Sequence, residues 1–451
     1  MADASYHLLA RDPDDVLFRA PGGVVAASGF LHAAHRLAAE LPAGSHVLNL
    51  CQDRYAFSLA LAAAMLRGQV SLLSSDRSAA RLGQLAGSFP GLYAVSDEPK
   101  PDSTLPIHPL TASLPRDARA QYAPNPSISA DKPAAIVFTS GSTGEPIGHR
   151  KTWGALATRS ADAARRFRML RSAPASVVGT VPPQHMYGFE TTVLLPFHAP
   201  ASSWCGGAFY PSDVQAALDS VPPPRILVTT PLQIRALLQA AVPLPPIERV
   251  ISATAQLSSD MARQAEEVWR TRVDEIFGAT EVGSIASRRT VEDDIWTLYP
   301  RVRLFPAGSE QDEQRLLIVG PHAERQPLND VVEVIDRAHF RLVGRPTDLI
   351  KLGGRRASLA GLNRMLTSID GVVDGLFVAP EDLDQRPSAR LLAFVVAPGR
   401  DPNDILAALR ERIDPLFLPR RIVAVETLPR NEVGKLPDQA LQALRVRSGE
   451  S

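Results

Sequence analysis

The sequence has only two cysteines in 451 residues, Cys51 and Cys205. They lie far apart and offer neither a metal-binding spacing nor a disulfide framework, which suits a reducing cytosol. Net charge is missing as well, because 48 Lys and Arg offset 48 Asp and Glu. No global basic field argues for a nucleic-acid partner. Long apolar runs are absent. The best candidate, residues 57–66, is far too short to span a bilayer. The N-terminus carries no basic-then-apolar signal pattern, and there is neither an internal repeat nor a low-complexity tail. These absences point to a cytoplasmic globular protein with no membrane or nucleic-acid partner. With 45% apolar residues, the chain is long enough for a large core and more than one domain.

Residues 97–133 are rich in Pro, Ser and Asp and read as an irregular connection from an N-terminal unit to the next. Beyond it, continuous apolar runs at 134–138, 176–181, 225–230 and 249–254 predict strands buried on both faces. Helical patterns follow several of them, such as 258–270, capped by Ser258 or Ser259. Strands alternating with helices imply a mostly parallel α/β sheet. Residues 330–345 alternate like a hairpin, and a smaller mixed unit follows. The boundary falls near Arg345, giving an N-terminal domain at 1–344 and a C-terminal domain at 345–451.

Five segments carry chemistry. TSGSTGEP (139–146) follows a strand and concentrates hydroxyls and glycines, as a loop that wraps phosphate oxygens does. It is not a Walker loop, and alone it reads equally as a linker. VPPQHMYGFE (181–190) places His185 at a strand end, where α/β sheets bind ligands. IFGATEVGS (276–284) sets the Thr280 hydroxyl beside the Glu281 carboxylate, hard oxygens suited to Mg²⁺. The same segment also fits a helix N-cap with an acidic first turn. LVGRPTDLIKLGGRR (342–356) sits at the proposed boundary, and LPRNEVGKLP (428–437) puts Lys435 on a loop near the C-terminus.

In this order and spacing, the five segments resemble the motifs of the adenylate-forming superfamily: acyl-CoA synthetases, aryl acid ligases, luciferases and the adenylation domains of peptide synthetases. The resemblance covers roughly residues 134–444. It implies an α/β fold, with a large N-terminal domain of stacked α/β subdomains and a small mobile α+β C-terminal domain. It also implies ATP and Mg²⁺ as cofactors. By similarity, Thr139, Ser140, Gly141, Ser142, Thr143 and Gly144 form the phosphate loop. Lys435 bridges the substrate carboxylate and the α-phosphate, where a cation offsets the repulsion of two anions. Glu281 holds Mg²⁺ and Thr280 touches the α-phosphate. Asp330 and Arg345 bind the ribose. Thr254, Ala255 and Gln256 edge the adenine, with Phe277 and Gly278 beside it. His185 closes an acyl pocket that Met186, Gly188 and Phe189 line, and Thr347 and Asp348 form the hinge. The chain departs from the pattern at Ile147, where the phosphate loop usually has Lys, at Thr347, where the hinge has Asp or Lys, and at Gln256, where Pro is common. Lys151 is a candidate to replace the missing charge at Ile147, against the alternative of a solvated residue opening a helix. The chain is also short for the family at its N-terminal side.

Amino-acid-activating relatives carry Asp after the motif histidine, to pair the α-ammonium. Met186 cannot do so, and an unpaired buried charge is costly. The run from His185 to Phe189 is similar to that of benzoate-type ligases. With the short length, it resembles the stand-alone aryl acid:acyl carrier protein ligases of aryl-polyene, xanthomonadin-type pigment clusters. The expected partners are therefore an aromatic carboxylic acid and a thiol acceptor, either an acyl carrier protein or CoA. Two alternatives stay open. One is an acyl-CoA synthetase for a short or medium aliphatic or aromatic acid. The other is a degenerate nucleotide-binding relative without turnover, suggested by Ile147 and Thr347.

Overall fold

The computed structural model describes residues 4–98, 104–110, 123–139, 147–169, 173–306, 316–323, 325–344, 349–352, 355–380, 390–430, 436 and 438–447. The apolar runs become the strands Ala175–Gly179, Arg225–Thr229 and Arg249–Ser252, which lie parallel and side by side and are buried almost throughout. Continuous rather than alternating apolarity is what a sheet covered on both faces requires. Arg272–Ala279 joins them in parallel. Beyond it the sheet turns antiparallel through Gly283–Arg289, Ile295–Leu298, His339–Gly344 and Val331–Val334. At the other edge lie Ala201–Trp204, Val16–Ala20 and Gly23–Ala26, making eleven strands among the described residues. The helix expected at 258–270 spans Ser259–Trp269, with the Ser258 hydroxyl accepting from the Met261 N–H.

A second sheet runs in the order Ile147–Thr152, Pro133–Thr139, Val70–Leu73, His46–Asn49, Tyr93–Ser96, Ile107–Pro109. Pro133–Thr139 pairs in parallel with Val70–Leu73. The chain after residue 97 therefore returns to the N-terminal sheet instead of starting a new unit, which corrects the expectation of a boundary there. The helix Arg54–Leu66 is buried on nearly every side, and Asp53 caps it by accepting from the Tyr55 and Ala56 N–H groups at 2.8 and 3.0 Å. One apolar core joins this helix, the six-stranded sheet, the helix Trp153–Arg166 and the Val16–Ala26 edge of the large sheet. That shared core fixes the strand Pro133–Thr139 against the large sheet.

From Ile350 onward the chain builds cores of its own, around Leu366, Phe377, Phe394 and Leu409. Asp374–Val378 pairs antiparallel with Leu392–Val396, which pairs parallel with Arg421–Ala424. Arg235, on the helix Pro231–Ala240, donates to the Val373 carbonyl and so ties this unit to the large sheet.

Candidate active site

The strands Ala175–Gly179, Arg225–Thr229, Arg249–Ser252 and Arg272–Ala279 all end at one side of the large sheet. Two of the motif loops, 180–188 and 280–282, and the adenine-loop candidate at 253–258 leave from that edge, the place where α/β sheets bind ligands.

The candidate acyl loop is built on Tyr187. Its buried hydroxyl lies 3.1 Å from the Thr229 carbonyl and 2.7 Å from that of Ile251, spanning the ends of two strands. His185 caps the short turn Met186–Gly188, its Nδ1 accepting from the Tyr187 N–H at 3.3 Å. Gly188 has no room for a side chain, since a Cβ there would stand 2.1 Å from the Pro182 carbonyl oxygen. Met186 is 5% exposed, and Phe189 opens the π-helical turn Phe189–Leu194. From the N-terminal region, buried Arg54 donates to the carbonyls of Gly179 at 2.6 Å and Val181 at 2.9 Å, closing the strand end beneath this loop. The first 130 residues offered no motif, yet they supply this support.

The adenine-loop candidates occupy the next strand end. Thr254 has φ of +79°, a strained conformation for a β-branched residue of the kind concentrated at ligand sites. Ala255 is exposed and Gln256 half-buried. The loop is anchored where the Leu257 N–H donates to Glu275 at 2.8 Å, and Arg288 and Thr290 hold that carboxylate in turn. Phe277 is half-buried, with Trp296 and Phe340 packed against it at centroid distances of 5.4 and 5.5 Å. A Cβ on Gly278 would stand 2.4 Å from the Gly283 carbonyl oxygen, so this glycine is required by packing.

Thr280 and Glu281 form the turn between the antiparallel strands Arg272–Ala279 and Gly283–Arg289. The helix N-cap alternative is thereby overturned. A strand, a π-helical turn and a loop converge on this turn. Lys151, 7% exposed, donates from Nζ to the Glu281 carbonyl at 2.7 Å. Glu190 accepts from the Ser284 N–H at 2.9 Å and from its hydroxyl. Asn329 donates to the Glu281 carboxylate at 2.8 Å. Asp330 is half-buried at the start of Val331–Val334. Lys151 is therefore not a solvated helix-opening residue: burial pulls its pKa down to about 8, against the opposing pull of Glu190 and Glu281. Ile147, by contrast, is 56% exposed. Burial raises the pKa of Glu190, while Ser284, Arg159 and Lys151 favour its charged form.

Thr139 ends the strand Pro133–Thr139, paired across the hairpin with Ile147. Ser140, Gly141, Ser142, Thr143, Gly144, Arg345, Thr347, Asp348 and Lys435 lie outside the described residues. Sequence reasoning missed Glu190, Arg159, Asn329 and Arg54. The available signal was a lone carboxylate in the apolar run after Gly188, since a buried polar group is more informative than an apolar one. Among the described residues no group of three or more His, Cys, Asp or Glu is placed to hold a metal ion. The donor set of the turn, one carboxylate beside a hydroxyl, matches what Mg²⁺ takes from protein when nucleotide phosphates supply the rest.

The model of the AMP-binding enzyme family matches residues 29–331. A 4-coumarate–CoA ligase of Halorhodospira halophila is 30% identical, over 66% of this chain and 73% of the relative. A 4-coumarate–CoA ligase of Rhodobacter capsulatus is 29% identical, over 67% and 75%. ATP-bound MatB of Rhodopseudomonas palustris superposes with a TM-score of 0.80, covering 98% of this chain and 97% of MatB at 19% identity, a likeness of fold. No helix among the described residues is long and apolar enough to cross a membrane. The chain belongs to the AMP-binding enzyme family, has the adenylate-forming fold, and is an AMP-forming acid–thiol ligase.

Proposed function

We propose that the chain activates a hydroxybenzoate-type aryl acid with MgATP and passes the acyl group to the phosphopantetheine thiol of an acyl carrier protein, as in aryl-polyene pigment assembly. The observation that carries the aryl-acid part is the pairing state around Met186. Met186 offers no charge, and the nearby Glu190 carboxylate is already engaged by Ser284 and by the fields of Arg159 and Lys151. Neither is available to neutralise an α-ammonium, whereas a polarizable thioether packs well on an aromatic ring.

In this reading Glu281 and Thr280 hold Mg²⁺ and phosphate oxygens. Residues 139–144 wrap the phosphates, Thr254–Gln256 with Phe277 and Gly278 receive adenine, and Asp330 with Arg345 receives ribose. The acid lies between His185, Met186, Gly188 and Phe189. Its carboxylate attacks the α-phosphorus, pyrophosphate leaves, and Lys435 offsets the charge as the two anions meet. The domain from residue 345 then turns about Thr347 and Asp348 to admit the thiol, which displaces AMP.

The acceptor distinguishes two readings. Both curated relatives are named as CoA ligases, which favours CoA. Four exposed arginines, Arg410, Arg412, Arg420 and Arg421, favour an acidic carrier protein. Arg430, nearby in sequence, is paired with Asp374 at 2.7 Å. Rim charges act mainly on association rate and its salt dependence. Transfer to holo carrier protein should therefore be preferred over CoA, and should slow in Arg420→Glu/Arg421→Glu, most at low salt, with adenylation intact. Efficient transfer to CoA without such a preference would assign the chain to the CoA ligases.

A further inference from the structure

The turn that carries Glu281 is closed by a single main-chain hydrogen bond, from the Val282 N–H to the Ala279 carbonyl at 3.1 Å. It connects two antiparallel strands with a register shift between Phe277 and Gly278, and Gly283 sits at φ of +74°. Something outside the hairpin has to fix where the Glu281 carboxylate points. Asn329 bonds the carboxylate itself at 2.8 Å, and two buried, oppositely charged side chains hold the chain on either side of it. Lys151 reaches up from the strand Ile147–Thr152, at the base of the phosphate-loop hairpin, and donates to the Glu281 main-chain carbonyl at 2.7 Å. Glu190 comes from the π-helical turn behind the acyl loop and accepts the Ser284 N–H at 2.9 Å together with its hydroxyl. Glu190 also crowds the turn: a Cβ on Gly283 would stand 2.5 Å from its Oε1 and 3.4 Å from the Met186 methyl. A single carboxylate thus touches the turn and lies beside the acyl-pocket methionine.

We infer that Lys151 and Glu190 are positioning residues that clamp the 281–284 turn from either end, and that Lys151 serves the nucleotide by holding Glu281 in place through its hydrogen bond, without itself contacting a phosphate. The inference rests on the reading of Glu281 as the Mg²⁺-bearing carboxylate. It accounts for the exposed Ile147: the ammonium nearest the phosphate loop is spent on the main chain of the metal turn. It also gives the acyl loop a route to the nucleotide site, because Glu190 belongs to one and grips the other.

A donor at position 151 is what the clamp needs, so charge and hydrogen bonding can be separated. Lys151→Gln keeps a donor and removes the charge, whereas Lys151→Met removes both. Binding of MgATP is measured by calorimetry without acid, alongside KM for the acid and the melting temperature. Loss of a hydrogen bond by a buried carbonyl should weaken MgATP binding about tenfold in Lys151→Met, and Glu190→Gln should show a loss of the same order. Lys151→Gln should stay within about threefold of the parent, since its donor survives. The KM for the acid should be unchanged in both Lys151 variants, which a general loosening of the fold would not produce. If Lys151→Gln folds like the parent yet binds MgATP as poorly as Lys151→Met, the charge is acting on phosphate and the clamp is wrong. If Lys151→Met does not fold, the comparison of Lys151→Gln with the parent decides the question alone. Glu281→Gln is the control on the underlying reading. Unchanged Mg²⁺-dependent ATP binding in that variant would refute the role of Glu281, whereas a loss there with parental binding in Lys151→Met and Glu190→Gln would refute only the clamp.

Discussion

Tyr187 ties the acyl loop to the sheet through a single hydroxyl placed against two carbonyls, those of Thr229 and Ile251. Both lie in a buried, low-dielectric environment, where an unmade hydrogen bond is costly. Tyr187→Phe should therefore lower stability by about 1–3 kcal/mol. Because the ring remains, the loop should loosen without collapsing, so KM for the acid should rise while MgATP affinity holds. A urea titration and steady-state kinetics check both, and an unchanged KM would show that the hydroxyl does not set the acyl loop. The residues proposed to carry chemistry stand out in the sequence because their types are concentrated in short loops: His185 after two prolines, Thr280 and Glu281 after a strand. Residues that support them do not. Lys151 and Glu190 look like a surface charge and a stray acid until the tertiary structure buries both against the 281–284 turn.

At the level of elements, the turn Leu195–His198 shows how the fold uses burial. His198 packs on Trp153 at 5.3 Å, its Nδ1 donating to the Leu194 carbonyl at 3.1 Å. Burial lowers its pKa from 6.5 to about 4. The folded state thus binds its proton later than the unfolded chain does. Its contribution is fully present above pH 6.5 and is lost as the pH falls toward 4, a change of about 3 kcal/mol. His198→Phe should flatten this acid limb of the stability curve, measured as urea midpoints between pH 7 and 4.5. An equally steep limb in the variant would place the acid sensitivity elsewhere. Of the elements themselves, the central parallel strands were readable from unbroken apolar runs, to within a residue or two at their ends. Their partners were not. The parallel pairing of Val70–Leu73 with Pro133–Thr139 joins segments sixty residues apart, and periodicity along a chain carries no record of which strands meet. That is why residues 97–133 read as a connection between two units, when their described part, with the strands Ile107–Pro109 and Ser127–Ser129, pairs within the N-terminal region.

At the scale of the whole molecule, the strand Ile147–Thr152, the π-helical turn Phe189–Leu194 and Asn329 converge on one carboxylate-bearing turn at the edge of the large sheet, the place proposed here for adenylation. The unit beyond Ile350 has its own core, and Arg235 ties it to the large sheet through Val373. With the boundary proposed near Arg345, Lys435 falls on the C-terminal side, so in the proposed mechanism the first half-reaction depends on its reaching the turn, and the thiol transfer does not. The central claim is that this site joins ATP to an aryl acid. The most direct measurement is the exchange of labelled pyrophosphate into ATP with 3- and 4-hydroxybenzoate, benzoate, octanoate and phenylalanine, for the parent and for Lys435→Ala. The account predicts the strongest exchange with the benzoates, little with octanoate and none with phenylalanine. It predicts a fall of about 10²–10³ in Lys435→Ala, the cost of one lost transition-state contact. Strong exchange with phenylalanine and none with any benzoate would contradict it.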